Sequence, residues 1–332
     1  MKKKIAHFGA FDHDSYGDLI FPCIAEYFLA PEFDVVHVAP TDIPTPWPDA
    51  KHTISVQSAI NRDDWDGVLI GGGDIVQTGD WVPEKWRMDE VLAVSALPSL
   101  WIGASLLAAR LNIPLVWNAP GVPGDLSSEF LQTARLALRS ADYVSVRDSR
   151  SHDILSAHTD TAIQIIPDSA ILINDIWAKP PILEGSSRFV ISLSVSDLQS
   201  RPDEIADALP QLLKDEDSST LITGLPLMDW QLEGLVLQKL PASLRDIVDV
   251  LPRSLTLQDC AGKISQSRGY IGNSLHGFIT AVSYGVPAVL VVPSNSPNSH
   301  KYAGFIRAIG HDPQYSLVES WRDGVVQLQK RH

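Results

Sequence analysis

Short apolar runs rich in β-branched residues alternate with longer amphipathic stretches along the chain. This alternation predicts α/β architecture with parallel sheets, because parallel strands need a crossover, usually a helix, between them. The first half contains six predicted strands and four predicted helices. The strands are Lys4–Phe8, Val35–Val38, Val68–Ile70, Leu115–Ala119, Tyr143–Val146 and Ile163–Ile166, and the helices are Leu19–Leu29, Leu100–Leu111, Ser128–Leu138 and Arg150–Ala157.

The alternation starts again after Ala178–Ser187, whose tandem prolines favour a linker. We expect two Rossmann-like doubly wound domains, residues 1–177 and 186–316, with the ligand cleft between them. Residues 317–332 are expected to include a helix that packs back on the first domain. The second-half strands are Phe189–Ser194, Thr220–Thr223, Ile247–Val250, Tyr270–Ile271 and Ala288–Val292, and the helices are Asp203–Leu213, Gln231–Leu237, Leu257–Ser265, Leu275–Ser283 and Leu317–Gln329.

Composition narrows the classes of function. The 332 residues are 45% hydrophobic and 20% charged, as in globular proteins, and a net charge of −14 argues against sequence-independent nucleic-acid binding. The two cysteines, Cys23 and Cys260, predict neither a disulfide framework nor a zinc site.

Uncharged stretches at 91–109 and 269–293 contain proline, glycine and polar residues, so we interpret them as buried elements, the first as a loop followed by a helix. Without an apolar signal region at the N-terminus, we expect a cytoplasmic protein that is not an integral membrane protein.

Two glycine-containing loops follow predicted strands of the first half. Gly9–Asp18 should open a helix, with Asp18 as the N-cap and free backbone N–H groups facing an anion, although an ordinary capped turn fits as well. Its Asp12–Asp14 segment is a weak metal-binding pattern, and a solvated charged loop is the simpler interpretation. Gly71–Asp74 matches no nucleotide-binding fingerprint, and its three glycines favour close approach of a ligand or of the facing domain over a simple turn.

Arg147 ends the predicted strand Tyr143–Val146 and would therefore project into the cleft. A guanidinium there can hold a carboxylate or a phosphate with two parallel hydrogen bonds. The alternative is a structural ion pair with Asp148 or Asp168.

The segment Tyr270–Phe278 carries the strongest chemical signal. A short strand runs into a helix whose first turn contains Asn273, Ser274 and His276. Hydroxyl, imidazole and backbone N–H groups then meet the positive end of the helix dipole, an arrangement typical of a phosphate site. An imidazole can also serve as general acid or base near neutral pH, unless it is a satisfied core histidine. Lys301, in a polar loop at 298–302, would either add a positive charge or lie on the surface.

In their order, these motifs resemble those of the polysaccharide pyruvyl transferase family, over roughly residues 5 to 310. The resemblance has two departures: Ser274 stands where some members carry a donor-binding arginine, and Asn118–Pro123 is an altered glycine-rich segment. The matching segments are Gly9-x-Phe11 with Ser15–Asp18, Gly71–Asp74, Val146–Ser151, Pro167–Ala170, Ser274–Gly277 with Gly285–Pro287, and Lys301–Gly310.

The resemblance implies a GT-B-like transferase that moves a pyruvyl group from phosphoenolpyruvate to two hydroxyls of a polysaccharide or its precursor. The implied partners are phosphoenolpyruvate and a saccharide acceptor, with at most peripheral contact to a lipid-linked acceptor, and no cofactor or metal is expected. His276 and Arg147 would be catalytic. The substrate-binding residues would be Ser274, Asn273, Leu275, Lys301, Gly17, Asp18, Gly72, Gly73 and Asp74.

Two other classes of protein share parts of this pattern. A GT-B nucleotide-sugar glycosyltransferase would use the same two domains, but it would need a basic diphosphate clamp, and arginine and lysine are sparse around Ser274. A non-catalytic carbohydrate-binding relative would keep the fold without using His276.

Overall fold

The computed structural model describes residues 2–78, 84–87, 89–181, 188–193, 200–213, 221–224, 242, 248–250, 255–294, 296, 299–310 and 312–331. Within this part of the chain, the first sheet is parallel and has the strand order β3-β2-β1-β4-β5-β6-β7. In its register Ile5 lies opposite Val35 on one side and Gly67 on the other. The strands are β1 (Lys3–Phe8), β2 (Phe33–Ala39), β3 (Thr53–Ser55), β4 (Gly67–Ile70), β5 (Leu115–Trp117), β6 (Tyr143–Val146) and β7 (Gln164–Ile165).

A second parallel sheet has the order β10-β9-β8-β11-β12-β13 among the described residues. Ile271 lies opposite Ile191 on one side and Val289 on the other. The fold class is therefore the predicted α/β architecture with two doubly wound sheets. The strands are β8 (Arg188–Ser192), β9 (Leu221–Gly224), β10 (Val248–Val250), β11 (Gly269–Gly272), β12 (Ala288–Val291) and β13 (Tyr315–Val318).

Helices connect the strands of both sheets. In the first domain the described helices are α1 (Tyr16–Leu29), α2 (Val56–Ile60), α3 (Glu84–Arg87), α4 (Glu90–Pro98), α5 (Ala104–Leu111), α6 (Ser128–Arg139), α7 (Ser149–Ser156) and α8 (Ile173–Ile176). In the second they are α9 (Pro202–Ala208), α10 (Leu257–Ser265), α11 (Leu275–Ser283), α12 (Ser299–Ile309) and α13 (Trp321–Gln329). The predicted helix Gln231–Leu237 and residues 182–187 of the predicted linker lie outside the described residues.

Strand order fixes where a ligand can bind. In each sheet the direction of the strand order reverses next to the first strand of that sheet. This switch point lies between β1 and β4 in the first sheet and between β8 and β11 in the second. Doubly wound sheets bind ligands in the crevice outside the carboxyl ends of the strands at this switch point. The loop 9–15, the glycines 71–73 and the start of α11 all follow strands of these two pairs.

Two edge strands and one helix start differ from the sequence predictions. Thr53–Ser55 and Tyr315–Val318 are strands of three and four residues, too short for a clear alternation of polar and apolar positions. Helix α1 begins at Tyr16, with Ser15 rather than Asp18 as its N-cap; the Ser15 hydroxyl accepts a hydrogen bond from the Asp18 N–H. Asp18 is thereby left in the first turn, with its carboxylate available for other contacts.

The apolar stretch at 91–109 is helical throughout, and the predicted loop at its start was wrong. Asp89 caps α4 by accepting hydrogen bonds from two backbone N–H groups, and the π-helical turn Ser99–Gly103 follows Pro98, which has no N–H to donate. Among the described residues, Glu90–Leu111 is the helix long and apolar enough to cross a membrane, by length and composition alone. One face is buried in the first-domain core, including Leu97, Leu100 and Trp101, as expected for a core helix of an α/β domain.

Helix α1 joins the two domains. Its first nine residues are buried except for Asp18, because one side packs on the first domain and the other on α10 and α11 of the second. Across this interface, the Tyr16 hydroxyl lies 2.9 Å from the Thr280 hydroxyl. A helix that is apolar around its whole circumference is buried on all sides. The two domains therefore share an apolar core along α1.

The C-terminal helix packs on the second domain, and the expectation that it returns to the first domain was wrong. Trp321, Val325 and Leu328 of α13 are buried in a cluster with Ile271 and other residues of the second sheet. The helix starts at Trp321, where the Ser320 hydroxyl accepts a hydrogen bond from Asp323 N. Its apolar side chains pack against one face of the second sheet, at β11, β12 and β13, and shield that face from water.

Two histidines are buried side by side on the first sheet. The Nδ1 atoms of His7 and His37 lie 3.1 Å apart, and His37 Nε2 lies 3.8 Å from the carboxylate of Glu26. Burial lowers the pKa of His7 well below its usual value, and it lowers the pKa of His37 to about 4. Both rings are therefore neutral in the folded protein at neutral pH.

We predict that the free energy of unfolding falls as the pH drops from about 6.5 to about 4, because only the unfolded state can protonate these histidines. Each contributes a slope of up to about 1.4 kcal/mol per pH unit. Urea unfolding at several pH values should show a shallower slope for His37→Gln than for the wild type. The exposed His158→Gln serves as the control, and a His37→Gln curve parallel to that of the wild type would contradict the prediction.

Asp49 of the first domain caps a helix of the second. Its carboxylate accepts hydrogen bonds from Leu257 N (2.7 Å) and Gln258 N (3.1 Å) at the start of α10. We expect Asp49→Ala to lower the free energy of unfolding by about 1 kcal/mol, the usual effect of losing such a contact. Asp42→Ala removes an exposed carboxylate from the same loop, and equal effects of the two substitutions in urea unfolding would refute the assignment.

Candidate active site in the interdomain cleft

Arg147 lies at the centre of the predicted site and is 4% exposed. Its Nη2 donates a hydrogen bond to Asp74, which follows β4, and its Nη1 donates to Asp168 Oδ2 at 3.1 Å. Both alternatives raised for this residue therefore apply in part: Arg147 projects into the cleft, and it is paired with carboxylates there. Its Nε–H is buried without a hydrogen-bond partner in the described part of the protein.

His276 reaches the same carboxylate from the second domain. Its Nε2 lies 3.6 Å from Asp168 Oδ2, the oxygen that also accepts from Arg147. This separation is longer than a hydrogen bond, and the buried Nε2 has no hydrogen-bond partner among the described residues. The guanidinium and the imidazole, 129 positions apart in sequence, thus converge on one oxygen atom.

Lys301 adds a second cation beside Arg147. It lies in the first turn of α12, not in the polar loop that was predicted, and its Nζ donates to Asp74 Oδ2 at 3.2 Å. Asn298 of the predicted loop lies outside the described residues. Asp74 therefore bridges Arg147 of the first domain and Lys301 of the second.

The electrostatics of this cluster favour the charged forms. Burial would raise the pKa values of Asp74 and Asp168, but the side chains that face them outweigh it, and both pKa values are lowered. These side chains are Arg147 and Lys301 for Asp74, and His276 and Arg147 for Asp168. Burial would lower the pKa of Arg147 and of Lys301, yet the facing carboxylates raise both. The cleft thus holds two fixed cations and two fixed carboxylates close together.

Close approach explains two of the predicted site glycines. A Cβ added at Gly17 would lie 1.9 Å from His276 Nδ1, so only glycine leaves room for the imidazole of the other domain. Gly73 has φ +87°, and a Cβ there would lie 2.7 Å from Asp18 Oδ1. Gly72 packs against Phe21, whose ring contacts His276 edge-on with 5.4 Å between ring centroids.

Ser274, Asn273 and Leu275 shape the start of α11. The Ser274 hydroxyl accepts a hydrogen bond from Gly277 N, so this side chain is the N-cap of the helix. The Asn273 carbonyl accepts a hydrogen bond from the Tyr302 hydroxyl, and Leu275 is buried in the core shared by the domains. All three lie beside His276 and position it.

The loop at 12–14 is buried, and the expectation of a solvated loop was wrong. The Asp12 carboxylate accepts hydrogen bonds from Thr41 and from Trp86 Nε1, and Asp14 accepts one from Trp47 Nε1 at 2.7 Å. His13 Nε2 lies 3.1 Å from Asp18 Oδ2. Within the described ranges, no group of three or more histidine, cysteine, aspartate or glutamate side chains is placed to hold a metal ion.

Sequence reasoning did not assign site roles to Asp168, Gly121 or His13. Asp168 was considered only as a structural partner of Arg147, although it lies in the Pro167–Ala170 motif. Gly121 belongs to the altered segment Asn118–Pro123, and a Cβ there would lie 2.4 Å from Asp74 Oδ1. Gly121 could have been found from the sequence, because it is a glycine shortly after a buried strand. No sequence feature indicated a site role for His13, because a histidine between two acidic residues suggests a solvated turn.

Solved structures share the fold of the whole chain. A Listeria monocytogenes protein described as a UDP-N-acetylglucosamine 2-epimerase is 14% identical with a TM-score of 0.63, covering 99% of this chain and 88% of its own. The UDP-GlcNAc 2-epimerase from Methanocaldococcus jannaschii is 11% identical with a TM-score of 0.59, covering 100% and 91%. An α-glucosyltransferase solved with UDP and DNA is 11% identical with a TM-score of 0.53, covering 100% and 90%. No curated protein sequence matches the chain.

The two doubly wound domains and the cleft between them define a GT-B protein, the fold of these epimerases and glycosyltransferases. The family model for polysaccharide pyruvyl transferases matches residues 16–295, which include Arg147, Asp168 and His276. The chain belongs to the polysaccharide pyruvyl transferase family.

The lowered pKa of Asp168 makes a prediction about acid stability. A carboxylate that is ionised more easily in the folded state stabilises the protein above its unfolded pKa, and this contribution is lost as the pH falls through the folded pKa. We expect Asp168→Asn to be less stable than the wild type at neutral pH and to lose less further stability below about pH 4. Thermal unfolding across this range measures the difference, with the exposed Asp175→Asn as control. Equal acid slopes for Asp168→Asn and the wild type would contradict the expectation.

Proposed function

We propose that the protein transfers the pyruvyl group of phosphoenolpyruvate to two hydroxyls of a saccharide and forms a pyruvate ketal. Family membership supports the transferase class. The observation that carries the proposal is the convergence of Arg147 and His276 on Asp168 Oδ2, with the buried Arg147 Nε–H and His276 Nε2 not engaged in hydrogen bonds among the described residues. A small anion with several acceptor oxygens matches such a pair of nitrogens.

The chemistry requires a proton donor and an anion-binding group. Protonation of the methylene carbon of phosphoenolpyruvate makes its C2 electrophilic, and one sugar hydroxyl attacks C2 and loses its proton. The C2–O bond to phosphate breaks, and the second hydroxyl closes the ketal and loses its proton. One proton is consumed at the methyl group and two are released from the hydroxyls, so the products are the ketal and hydrogen phosphate. The reaction needs no redox step.

Three nitrogen-bearing side chains can serve this chemistry. His276 is the proton donor or a phosphate ligand, and Arg147 binds the carboxylate or the phosphate of the donor. Lys301 adds a point charge, and the first turn of α11, capped by Ser274, directs its N–H groups into the cleft. Gly17, Gly72, Gly73 and Asp18 line the acceptor side, and Asp74 holds the two donor-side cations in place. The proposed location of the enzyme is the cytoplasm.

We predict that the protein releases phosphate from phosphoenolpyruvate in the presence of methyl hexopyranosides. In mass spectrometry, the glycoside should gain the mass of one pyruvic acid molecule less one water molecule. His276→Ala should reduce phosphate release by about 100-fold or more, the usual contribution of an acid–base group, without loss of the fold. His158→Ala, an exposed histidine, is the matched control. Arg147→Lys keeps the charge between the two carboxylates but loses the planar fork, and it should raise the KM for phosphoenolpyruvate.

Ligand-induced heat stability separates the alternatives. Phosphoenolpyruvate should raise the melting temperature of the wild type, because it binds only the folded state. Stabilisation by UDP-sugars alone would favour a glycosyltransferase, and stabilisation by saccharides with no phosphate release would indicate a non-catalytic carbohydrate-binding protein. Turnover that is unchanged in His276→Ala would remove this residue from the mechanism.

A further inference from the structure

A second charged pair lies beside the cluster around Arg147 and has no part in the donor site described above. His13 Nε2 lies 3.1 Å from Asp18 Oδ2, and both side chains are largely buried, with exposures of 7% and 18%. Arg147 and Lys301 pair with Asp74 and Asp168 and not with Asp18. The cleft thus contains a cationic part and a separate carboxylate held by a histidine.

The surroundings of His13 fix its position. Asp12 and Asp14, its neighbours in sequence, are each tied to a tryptophan indole by a hydrogen bond. The His13 ring packs edge-on against Trp86, with 5.7 Å between ring centroids. A buried loop held at both sides does not need to reorganise when a ligand arrives, which is a property of preorganised sites.

Asp18 points toward the site. Its Oδ1 lies beside the backbone of Gly73, where a Cβ would come within 2.7 Å, and the adjacent Gly17 contacts His276. The carboxylate therefore lies between the glycine loop after β4 and the proposed proton donor. Any side chain at position 73 would displace it.

Each member of the pair favours the charged form of the other. Burial would lower the pKa of His13, but Asp18, Asp12 and Asp14 outweigh this effect and raise it. Burial would raise the pKa of Asp18, but His13, His276 and the Ser15 hydroxyl lower it. An ionised carboxylate repels an anionic donor and accepts hydrogen bonds from neutral hydroxyls.

We propose that Asp18 accepts hydrogen bonds from hydroxyls of the acceptor sugar, and that His13 is a positioning residue that keeps this carboxylate oriented and ionised. The inference rests on the proposed function, since it assigns the acceptor half of the same site. The proposal assigns the two substrates to two parts of the cleft that differ in charge. The cationic groups bind the phosphorylated donor, and the His13–Asp18 pair binds the neutral polyol.

The experiment compares His13→Phe, His13→Gln and the wild type. Steady-state kinetics are measured with phosphoenolpyruvate and methyl α-glucopyranoside, α-galactopyranoside or α-mannopyranoside, from about pH 4 to about pH 9. His13→Phe should raise the KM for the glycoside roughly tenfold, because Asp18 loses a charge-assisted hydrogen bond, and should leave the KM for phosphoenolpyruvate within about twofold. His13→Gln keeps an N–H donor without the charge and should restore most of the glycoside KM.

Loss of the imidazolium charge should also move the acid limb of kcat/KM to higher pH in both variants, since Asp18 then protonates more easily. His37→Gln, a second buried histidine of this domain, is the control and should move neither quantity. A purely structural role of His13 would lower the melting temperature and raise both KM values together. Unchanged glycoside KM and pH profile in His13→Phe would overturn the inference while leaving the proposed function intact.

Glycoside binding without the donor separates the two proposals. Saturation-transfer NMR of the same glycosides should give a weaker signal with His13→Phe than with the wild type. If the wild type binds a glycoside but releases no phosphate, pyruvyl transfer is refuted. The comparison of glycoside binding by the wild type and by His13→Phe then still tests the role of the His13–Asp18 pair. Equal glycoside signals from the wild type and His13→Phe would refute the role of His13.

Discussion

The buried guanidinium of Arg147 is the constraint on which the arrangement of the site depends. A charge that is 4% exposed must be compensated by facing charges, because desolvation of an unpaired ion costs several kcal/mol. Asp74 and Asp168 supply this compensation, and both also face the second domain, where Asp74 pairs with Lys301 and Asp168 Oδ2 lies 3.6 Å from His276 Nε2. The ion pairs are therefore a scaffold that sets the distances between the cationic groups of two domains.

The shared core around α1 gives this scaffold a rigid frame. Tyr16 and its apolar neighbours pack against α10 and α11, and on another side of the cleft Gly304 of α12 packs against Asp148 at the start of α7. Interfaces of this apolar kind resist the relative motion that is otherwise the default between two domains. Close contacts in the cleft also explain three glycines, because a polar side chain lies so near the backbone there that no Cβ would fit. These are Gly17, Gly73 and Gly121.

Charge separation within the cleft connects the fold to the proposed chemistry. Arg147, which directly follows β6, lies with His276 of α11 and Lys301 of α12 in one part of the cleft, and the carboxylate of Asp18 in the first turn of α1 pairs with His13 beside them. Under the proposed function, a phosphorylated anion and a neutral polyol would bind next to each other without competing for the same groups. The overall charge of −14 does not describe this local field, which arises from a few buried residues.

The sequence by itself determined the α/β class, the two doubly wound units and most strands, because buried parallel strands are continuous apolar runs between helical periods. It also singled out Arg147 and His276 as candidates, because each follows a predicted strand at a strand–helix junction. Short edge strands and the destination of α13 were decided by tertiary packing, which local patterns do not encode. The N-cap at Ser15 is a local feature, since its hydroxyl accepts a hydrogen bond from the Asp18 N–H. Tertiary packing also decided the role of Asp168 as the common partner of Arg147 and His276, because the segments that carry these three residues meet only when the chain folds. His13 and Asp18 are close in sequence, but their burial beside the backbone of Gly73 is a property of the tertiary structure.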